Sequence, residues 1–466
     1  MSERRPNVVL INCDDLGYGD LGCYGSTRNA TPAIDRLASE GLRLDSFYMA
    51  SPVCSPSRGA MLTGCYPPRI GFGSFDGLPV LFPGQGLGLP DTEISLATLL
   101  SGAGYRTQMI GKWHCGDQAA FLPTNHGFDH YLGLPYSNDM GRQAPATSGP
   151  LAPPAGTEPF FFNPLPLLAD DEVIEQQPDQ ASLTERYVTE AVRFVRDARD
   201  EPFFLYLAHM YVHVPIYVQE RFARGSVNGP YGAAVAAIDW ATDVLVRELD
   251  ALGLAHDTIV IFTSDNGSRG VDGGSNEPLR GAKTTTWEGG MRVPCIVRWP
   301  GRVEAGRVSG ELATAMDLYP SLARLCGAEL PEDRTIDGLD ISDLWLDAGT
   351  SSPHDAFFYY WMNELEAVRV GRWKLHFAKH GAVETQLFDL EDDPAETTDV
   401  IAAHPDVVVE LEAHAERARR SLGDALQGRV GDDLRPIGRV EDPVTLTTYD
   451  PNHRYYVAEY DLRDRG

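Results

Sequence analysis

Four short apolar runs in this 466-residue chain break off abruptly into polar residues. Residues 7–12 (Asn-Val-Val-Leu-Ile-Asn), 105–110 (Tyr-Arg-Thr-Gln-Met-Ile), 203–208 (Phe-Phe-Leu-Tyr-Leu-Ala) and 258–263 (Thr-Ile-Val-Ile-Phe-Thr) each read as a buried strand. Strands covered on both faces carry such near-continuous apolar, β-branched sequence. Helices lie between them. Ser182 with Glu185 predicts a capping box, and Leu183, Tyr187, Val188, Ala191, Val192 and Val195 form a helical stripe behind it. A second helix is predicted from about 233 to 252, with Gly253 as its C-cap. This alternation implies an α/β fold with a mostly parallel sheet covered on both faces. The four runs are followed at once by Asp14 and Asp15, by Lys112 and His114, by His213, and by Asp265 and Asn266. Open α/β sheets bind ligands outside the carboxyl ends of their strands. Four strand ends supplying acids, an amide, Lys and His are hard to explain by core packing, and they point to an active site.

Composition limits what that site serves. The chain is 43% apolar, enough for a large core, yet has no run of eighteen apolar residues, so no transmembrane helix is expected. The apolar stretch after Met-Ser-Glu-Arg-Arg-Pro is too short for a signal-peptide core, so the expected location is the cytoplasm. Seven cysteines, an odd number, do not form a disulfide framework in a chain this long. A net charge of −28 argues against nucleic acid or an anionic membrane as partner. Any anionic substrate must therefore meet a few cations gathered in one pocket.

The length allows two or three domains. Residues 1–350 read as the catalytic domain, 351–425 as a C-terminal α+β subdomain and 426–466 as an extension. Within the subdomain, residues 357–378 suggest an antiparallel hairpin with a Gly-containing turn, followed by a helix from about 405 to 422. The last forty residues have little periodicity and suit an arm lying over another surface. Residues 70–90, with Phe72, Phe75, Leu78, Leu81 and Phe82, and the Pro-rich 141–180 both read as loops. Either walls a substrate pocket or simply lies on the surface.

Asp14, Asp15, Asp265 and Asn266 are all oxygen donors. Adjacent carboxylates repel unless a cation sits between them, and an oxygen-only set suits Ca²⁺ or Mg²⁺ rather than zinc, which prefers His or Cys. Taken singly, Asp-Asp after a strand also suits a helix N-cap, and Asp-Asn-Gly a plain turn. Cys54 is a nucleophile or a buried structural thiol.

Cys54-Ser55-Pro56-Ser57-Arg58, continuing to Leu62-Thr63-Gly64, resembles the type I sulfatase signature C-x-P-S-R-x-x-x-L-T-G. Residues 104–114, ending Gly111-Lys112-Trp113-His114, resemble the second signature of that family. The arylsulfatase A-like branch is the nearest in pattern, and the resemblance runs from about residue 6 to about 400. It implies an alkaline-phosphatase-like α/β/α sandwich with a smaller C-terminal antiparallel sheet and helix. It implies conversion of Cys54 to formylglycine by a formylglycine-generating enzyme that reads Cys54, Pro56 and Arg58. It implies one calcium ion on Asp14, Asp15, residue 54, Asp265 and Asn266. Arg58, Lys112, Lys283 and Ser137 would hold the nucleophile and the sulfuryl oxygens, and Asp265 would take up the nucleophile's proton. His213 would protonate the leaving alcohol, with His209 the weaker candidate, and His114 would help expel sulfate. The implied substrate is a small sulfate monoester, aryl or sugar. The alternatives are a phosphonate or phosphate ester hydrolase of the same superfamily and a catalytically silent binding protein on this fold. Oligomeric state is left open, a homo-oligomer included.

Overall fold

The apolar runs fold side by side. The computed structural model describes residues 5–142, 162–450 and 452–453. Its large sheet is built from β1 (Asn7–Cys13), β2 (Leu42–Tyr48), β3 (Arg106–Lys112), β4 (His130–Leu134), β5 (Pro166–Ala169), β6 (Glu172–Gln176), β7 (Phe203–Ala208), β8 (Thr258–Ser264), β9 (Arg292–Arg298) and β10 (Arg307–Ser309). The spatial order is β10-β2-β9-β8-β1-β7-β3-β4-β5-β6, with Ala313–Thr314 added beside β2. The strands β8, β1, β7, β3 and β4 run parallel, and β9 is antiparallel to both β8 and β2. The carboxyl ends of all five parallel strands, the end of β2 and the start of β9 therefore share one edge.

Alternate residues of a strand face opposite sides, and β1 shows both layers being built. Val8 and Leu10 join a cluster with residues of α2 (Cys54–Thr63), α3 (Leu96–Gly102) and α6 (Leu318–Cys326). Val9 and Ile11 face α1 (Pro32–Ser39), α4 (Leu183–Asp197) and α5 (Gly229–Ala251). Burying each large apolar side chain is worth about 1.5–3 kcal/mol, and β1, β7 and β8 are buried at every residue. The result is the α/β/α sandwich.

Local details depart from expectation. The Ser182–Glu185 capping box does not form. A 3-10 turn (Gln180–Ser182) precedes α4, the Asp179 side chain accepts from Ala181 N, and Ser182 Oγ donates to Asp179 O instead. Gly253 takes a positive φ one residue beyond the cap of α5, and Leu254 N bonds back to Leu249 O at 2.8 Å. The 141–180 stretch is not all loop. Its residues 143–161 lie outside the described set, but β5 and β6 form a hairpin at the sheet edge, where Pro166 is tolerated as a first strand residue. Phe72 and Phe75 are core residues, fully buried and packed edge to face, so they cannot line a pocket.

The expected hairpin is half of a four-stranded antiparallel sheet, β11 (Phe357–Trp361), β12 (Glu364–Val370), β13 (Trp373–Lys379) and β14 (Ala382–Asp389). Gly371 takes positive φ in the turn between β12 and β13. The helix α7 (Pro405–Leu422) covers this sheet through Leu411, Ala415 and Leu422, against Leu365 and Leu375. Among the described residues, no helix is long and apolar enough to cross a membrane.

Candidate active site

The sheet edge where the strand ends meet carries the candidate residues. Asp14 and Asp15 follow β1, Lys112 ends β3, Ser137 follows β4, His213 follows β7, and Asp265 and Asn266 follow β8. Cys54 is the first residue of α2, whose ten residues are all buried. Lys283 comes from the loop entering β9. Close backbone approach requires glycine beside two of these groups. A Cβ at Gly111 would lie 1.8 Å from Ala208 O, and one at Gly267 would lie 1.8 Å from Gly289 O. Asp15 and His114 both adopt φ of 61°, which is costly for non-glycine residues and is tolerated where function fixes it.

The charges interlock. Lys112 Nζ lies 2.5 Å from Asp14 Oδ2, and Lys283 Nζ lies 2.6 Å from Asp15 Oδ1. Arg58 Nε donates to Asp265 Oδ2 at 2.8 Å. Asn266 Nδ2 donates to Asp15 Oδ1 at 2.8 Å, and Asp15 N donates to Asp265 Oδ1 at 3.2 Å. Lys112 Nζ also donates to Ser137 Oγ at 3.2 Å, and Ser137 Oγ is 3.4 Å from His213 Nε2. Every expected residue except His209 joins this network or adjoins it. The buried His209 ring is held down in pKa to about 4 by burial alone, without a charged neighbour.

Ionisation follows from the packing. Burial opposes the charge of Asp14, but Lys112, His213, Arg58 and Lys283 outweigh it and hold the carboxyl well below its usual range. Burial and the Asp14 charge push Asp265 up. Burial pushes the Cys54 thiol up against the pull of Lys112 and Lys283, so a resting thiolate is disfavoured. Burial and Lys283 hold His213 down. Its Nδ1 contacts Val214 O at 2.5 Å, which leaves Nε2 facing Ser137 and Asp15. Burial and Lys112 hold His114 far below its usual value. His114 Nε2 faces Leu81 O at 3.0 Å, and among the described residues its buried Nδ1 has no hydrogen-bond partner. A carbonyl can only accept, so the proton sits on Nε2 and Nδ1 keeps its lone pair.

At the ends of β1 and β8, the buried oxygens Asp14 Oδ1, Asp15 Oδ2 and Asn266 Oδ1 also lack a hydrogen-bond partner among the described residues. One ligand atom each from Asp14, Cys54 and Asp265 lie within 4.8 Å of one another. Buried, unpartnered oxygen acceptors fit a hard divalent cation. Asp14, Asp15 and Asp265 are matched by Arg58, Lys112 and Lys283, so such a cation would leave the pocket positive. That is how a strongly acidic protein can hold an anionic ester.

Sequence reasoning missed two groups. The carbonyl of Leu81 fixes the His114 ring, and Ser55 Oγ accepts from Leu81 N at 3.1 Å. Ser55 was visible as the free position inside the signature, whereas a carbonyl acceptor leaves no trace in a sequence.

Comparison with known proteins agrees with this geometry. A family model described as Sulfatase matches residues 6–328, and one described as N-sulphoglucosamine sulphohydrolase, C-terminal, matches residues 282–421. Arylsulfatase A of Homo sapiens is 42% identical, covering 94% of this chain and 92% of its own length. Steryl-sulfatase of Mus musculus is 36% identical, covering 91% and 84%. The solved structure of Ps i-CgsB in complex with k-i-k-neocarrahexaose superposes with a TM-score of 0.77 at 30% identity, covering 89% of this chain and 92% of that one. The buried cluster of acids and cations and these likenesses agree: the chain belongs to the type I sulfatase family, in the arylsulfatase A-like branch, and is a sulfuric ester hydrolase.

Proposed function

We propose that this sulfatase releases inorganic sulfate from a small sulfate monoester, with formylglycine at position 54 and one Ca²⁺ held by Asp14, Asp15, residue 54, Asp265 and Asn266. The observation that carries the reading is the meeting of Cys54 with the Asp14 and Asp265 carboxylates inside a shell of buried Arg58, Lys112 and Lys283. When present, hydrated formylglycine supplies the hydroxyl that attacks sulfur, and the cation supplies positive charge beside it. The protein's own groups do the rest. Arg58, Lys112, Lys283 and Ser137 fix the nucleophile and the sulfuryl oxygens, and such preorganised charge is usually the largest source of rate. Asp265 receives the nucleophile's proton. His213 presents Nε2 to the leaving oxygen. The ester's negative charge would raise its pKa toward the protonated form that a general acid needs, a role worth roughly 10²–10⁴ in rate. His114 Nδ1, kept unprotonated, is the base for the later step that frees sulfate.

Cys54, Pro56 and Arg58 are buried in the folded protein, so a formylglycine-generating enzyme must read them before folding is complete. All seven cysteines are free, which supports a reducing, cytoplasmic location. The overall charge of −28 disfavours long polyanions and supports small esters.

The test pairs the mass of the tryptic peptide spanning Cys54 with an activity screen on aryl sulfates, sugar sulfates and phosphonate esters. The reading expects formylglycine in active enzyme and faster release from sulfates. Unmodified thiol in active enzyme, a preference for phosphonates, or faster release from heparin-like polymers than from aryl sulfates would each overturn part of it. Cys54→Ala should abolish turnover and leave the fold intact.

A further inference from the structure

Residues 433–450 lie beyond both family matches, which end at 328 and 421. They return across the large domain to the loop that orients His114. We propose that this segment is a strap that positions His114, acting through the 84–88 backbone and Gln118. The inference rests on the reading of His114 as a reacting base.

The carbonyl of Leu81 holds the His114 ring, and Leu81 belongs to a loop whose internal hydrogen bonds, Phe82 N to Gln85 Oε1 and Gln85 N to Phe82 O among them, reach only to Gln85. Phe75 pairs with Leu78, and Gln85 Nε2 donates to Phe75 O at 2.7 Å. The second half of the loop is held from outside. Gly438 and Arg439 pair antiparallel with Gly88 and Leu87, and Val440 N donates to Gly86 O at 2.9 Å. The strap lies flush on the glycines: a Cβ at Gly86 would meet Pro443 at 2.9 Å, and one at Gly84 would meet Thr445 at 3.0 Å. The same strap grips the loop that carries the ring. Gln118, four residues after His114 and buried, donates to Val444 O and accepts from Val444 N, both at 2.9 Å. Its neighbour Asp117 accepts from Gly84 N at 2.6 Å.

Phe121 keys the three chains together. A Cβ on Gly88, Gly116 or Gly438 would lie 2.4–2.6 Å from a Phe121 atom. One glycine comes from the Leu81 loop, one from the His114 loop and one from the strap. One overlying segment thus touches both the loop that carries the ring and the loop that carries the acceptor, whose Leu81 is also held by Ser55. Arg435, bound to Glu93 at 2.5 and 3.0 Å, anchors the strap before it reaches them.

Two variants test this: the chain ended after Ile437, which keeps the Arg435 anchor, and Gln118→Ala in the full chain. Both should still melt cooperatively above the assay temperature, and Gln118→Ala keeps the test open if the shortened chain does not fold. The first measurement is the ¹⁵N-resolved imidazole spectrum, with the His114 signals assigned by their loss in His114→Ala. The full chain should show a proton held on Nε2, and each variant a mixture of tautomers. The second is steady-state turnover of nitrophenyl sulfate. Misplacing a catalytic group by about 1 Å can cost 10²-fold, so kcat should fall by about 10- to 100-fold and KM with it, leaving kcat/KM nearly unchanged, because the His114 step follows release of the alcohol. In the His114→Ala background neither change should cost more. An unaltered tautomer, or losses that multiply with His114→Ala, would overturn the strap. If the full chain proves inactive on sulfates, the functional reading fails, and the imidazole spectra still decide whether the strap orients the ring.

Discussion

Lys112 Nζ and Asp14 Oδ2 stand 2.5 Å apart with neither side chain exposed to solvent. The pair joins the last residue of β3 to the residue after β1, across the intervening strand β7. A buried ion pair is a poor source of stability, because desolvation takes back most of the attraction. Its placement fits the proposed function, in which Asp14 Oδ1 would face a cation and Lys112, which also donates to Ser137, would hold a sulfuryl oxygen.

Lys112→Met should therefore damage two properties at once. Turnover should fall by roughly 10²–10³-fold, as when one preorganised donor to a developing charge is lost. The Asp14 charge is left without its partner, and breaking a buried pair costs about 3–5 kcal/mol. Steady-state kinetics and denaturant melts check the two effects. Lost turnover with unchanged stability would mean that Asp14 is neutral or otherwise compensated.

Removing divalent cations should lower the melting temperature reversibly. A ligand that binds only the folded state stabilises by RT ln(1 + [L]/Kd), about 1.4 kcal/mol for each tenfold rise in concentration above Kd. Ca²⁺ should restore the loss more effectively than Mg²⁺. Asn266→Ala, which removes the open Oδ1, should shift the midpoint of that recovery to higher Ca²⁺. Stoichiometric zinc in active protein, or full activity without metal, would remove Ca²⁺ from the scheme.

Asp239 gives a pH signature away from the site. It lies on α5, and its Oδ1 accepts from Ala33 N and Ile34 N at 2.9 Å each, capping α1 from a neighbouring helix. Burial outweighs those hydrogen bonds and raises its pKa to about 6, with Asp35 and Asp243 adding to the rise. A carboxyl whose folded pKa is raised stabilises fully below its unfolded value near 4, and loses that contribution as pH climbs through 6. Asp239→Asn keeps the acceptor oxygen and removes the titration. The variant should match the parent near pH 3.5 and exceed it above pH 6 by on the order of 1–3 kcal/mol. Denaturant unfolding at several pH values checks this, and a parent that gains on the variant as pH rises would reverse the assignment.

The parts of the fold that were legible share a cause. β1, β7 and β8 are buried on both faces, so their sequences had to be continuous apolar runs, and the polar residues at their ends had no core role to explain them. α7 carried its own amphipathic stripe and begins at Pro405, as expected. The segments that escaped notice are held by distant chain. His130–Leu134 is a strand because β3 lies beside it, and β5 and β6 complete an edge without a strong pattern of their own. Ser182 looked like a cap, yet Asp179 caps the preceding turn. In the site, side chains on strand ends could be named in advance. The Leu81 carbonyl could not, because its role comes from where a loop is pressed and not from which residue occupies it.

His213 and His114 can be separated by the alcohol being released. His213 turns Nε2 toward Ser137 and Asp15, so it is placed to protonate a leaving oxygen. Its loss should hurt poor leaving groups most, since an activated nitrophenol departs with little protonation. His114 holds its proton on Nε2 against Leu81 O and offers Nδ1, so it is placed to accept a proton. If it acts after the alcohol has gone, its loss should slow turnover equally for all esters. The first equivalent of alcohol should then appear in a burst before a slower steady rate. The measurement is log kcat/KM against leaving-group pKa for the parent, His213→Ala and His114→Ala, with the first turnover followed by stopped flow. A steeper slope for His213→Ala alone, and a burst for His114→Ala alone, is the expected pair of outcomes. Equal slopes in all three enzymes would show that neither ring protonates the leaving group. A burst in His213→Ala instead would mean that the two imidazoles exchange roles, and that the tautomer fixed by Leu81 does not decide which step His114 serves.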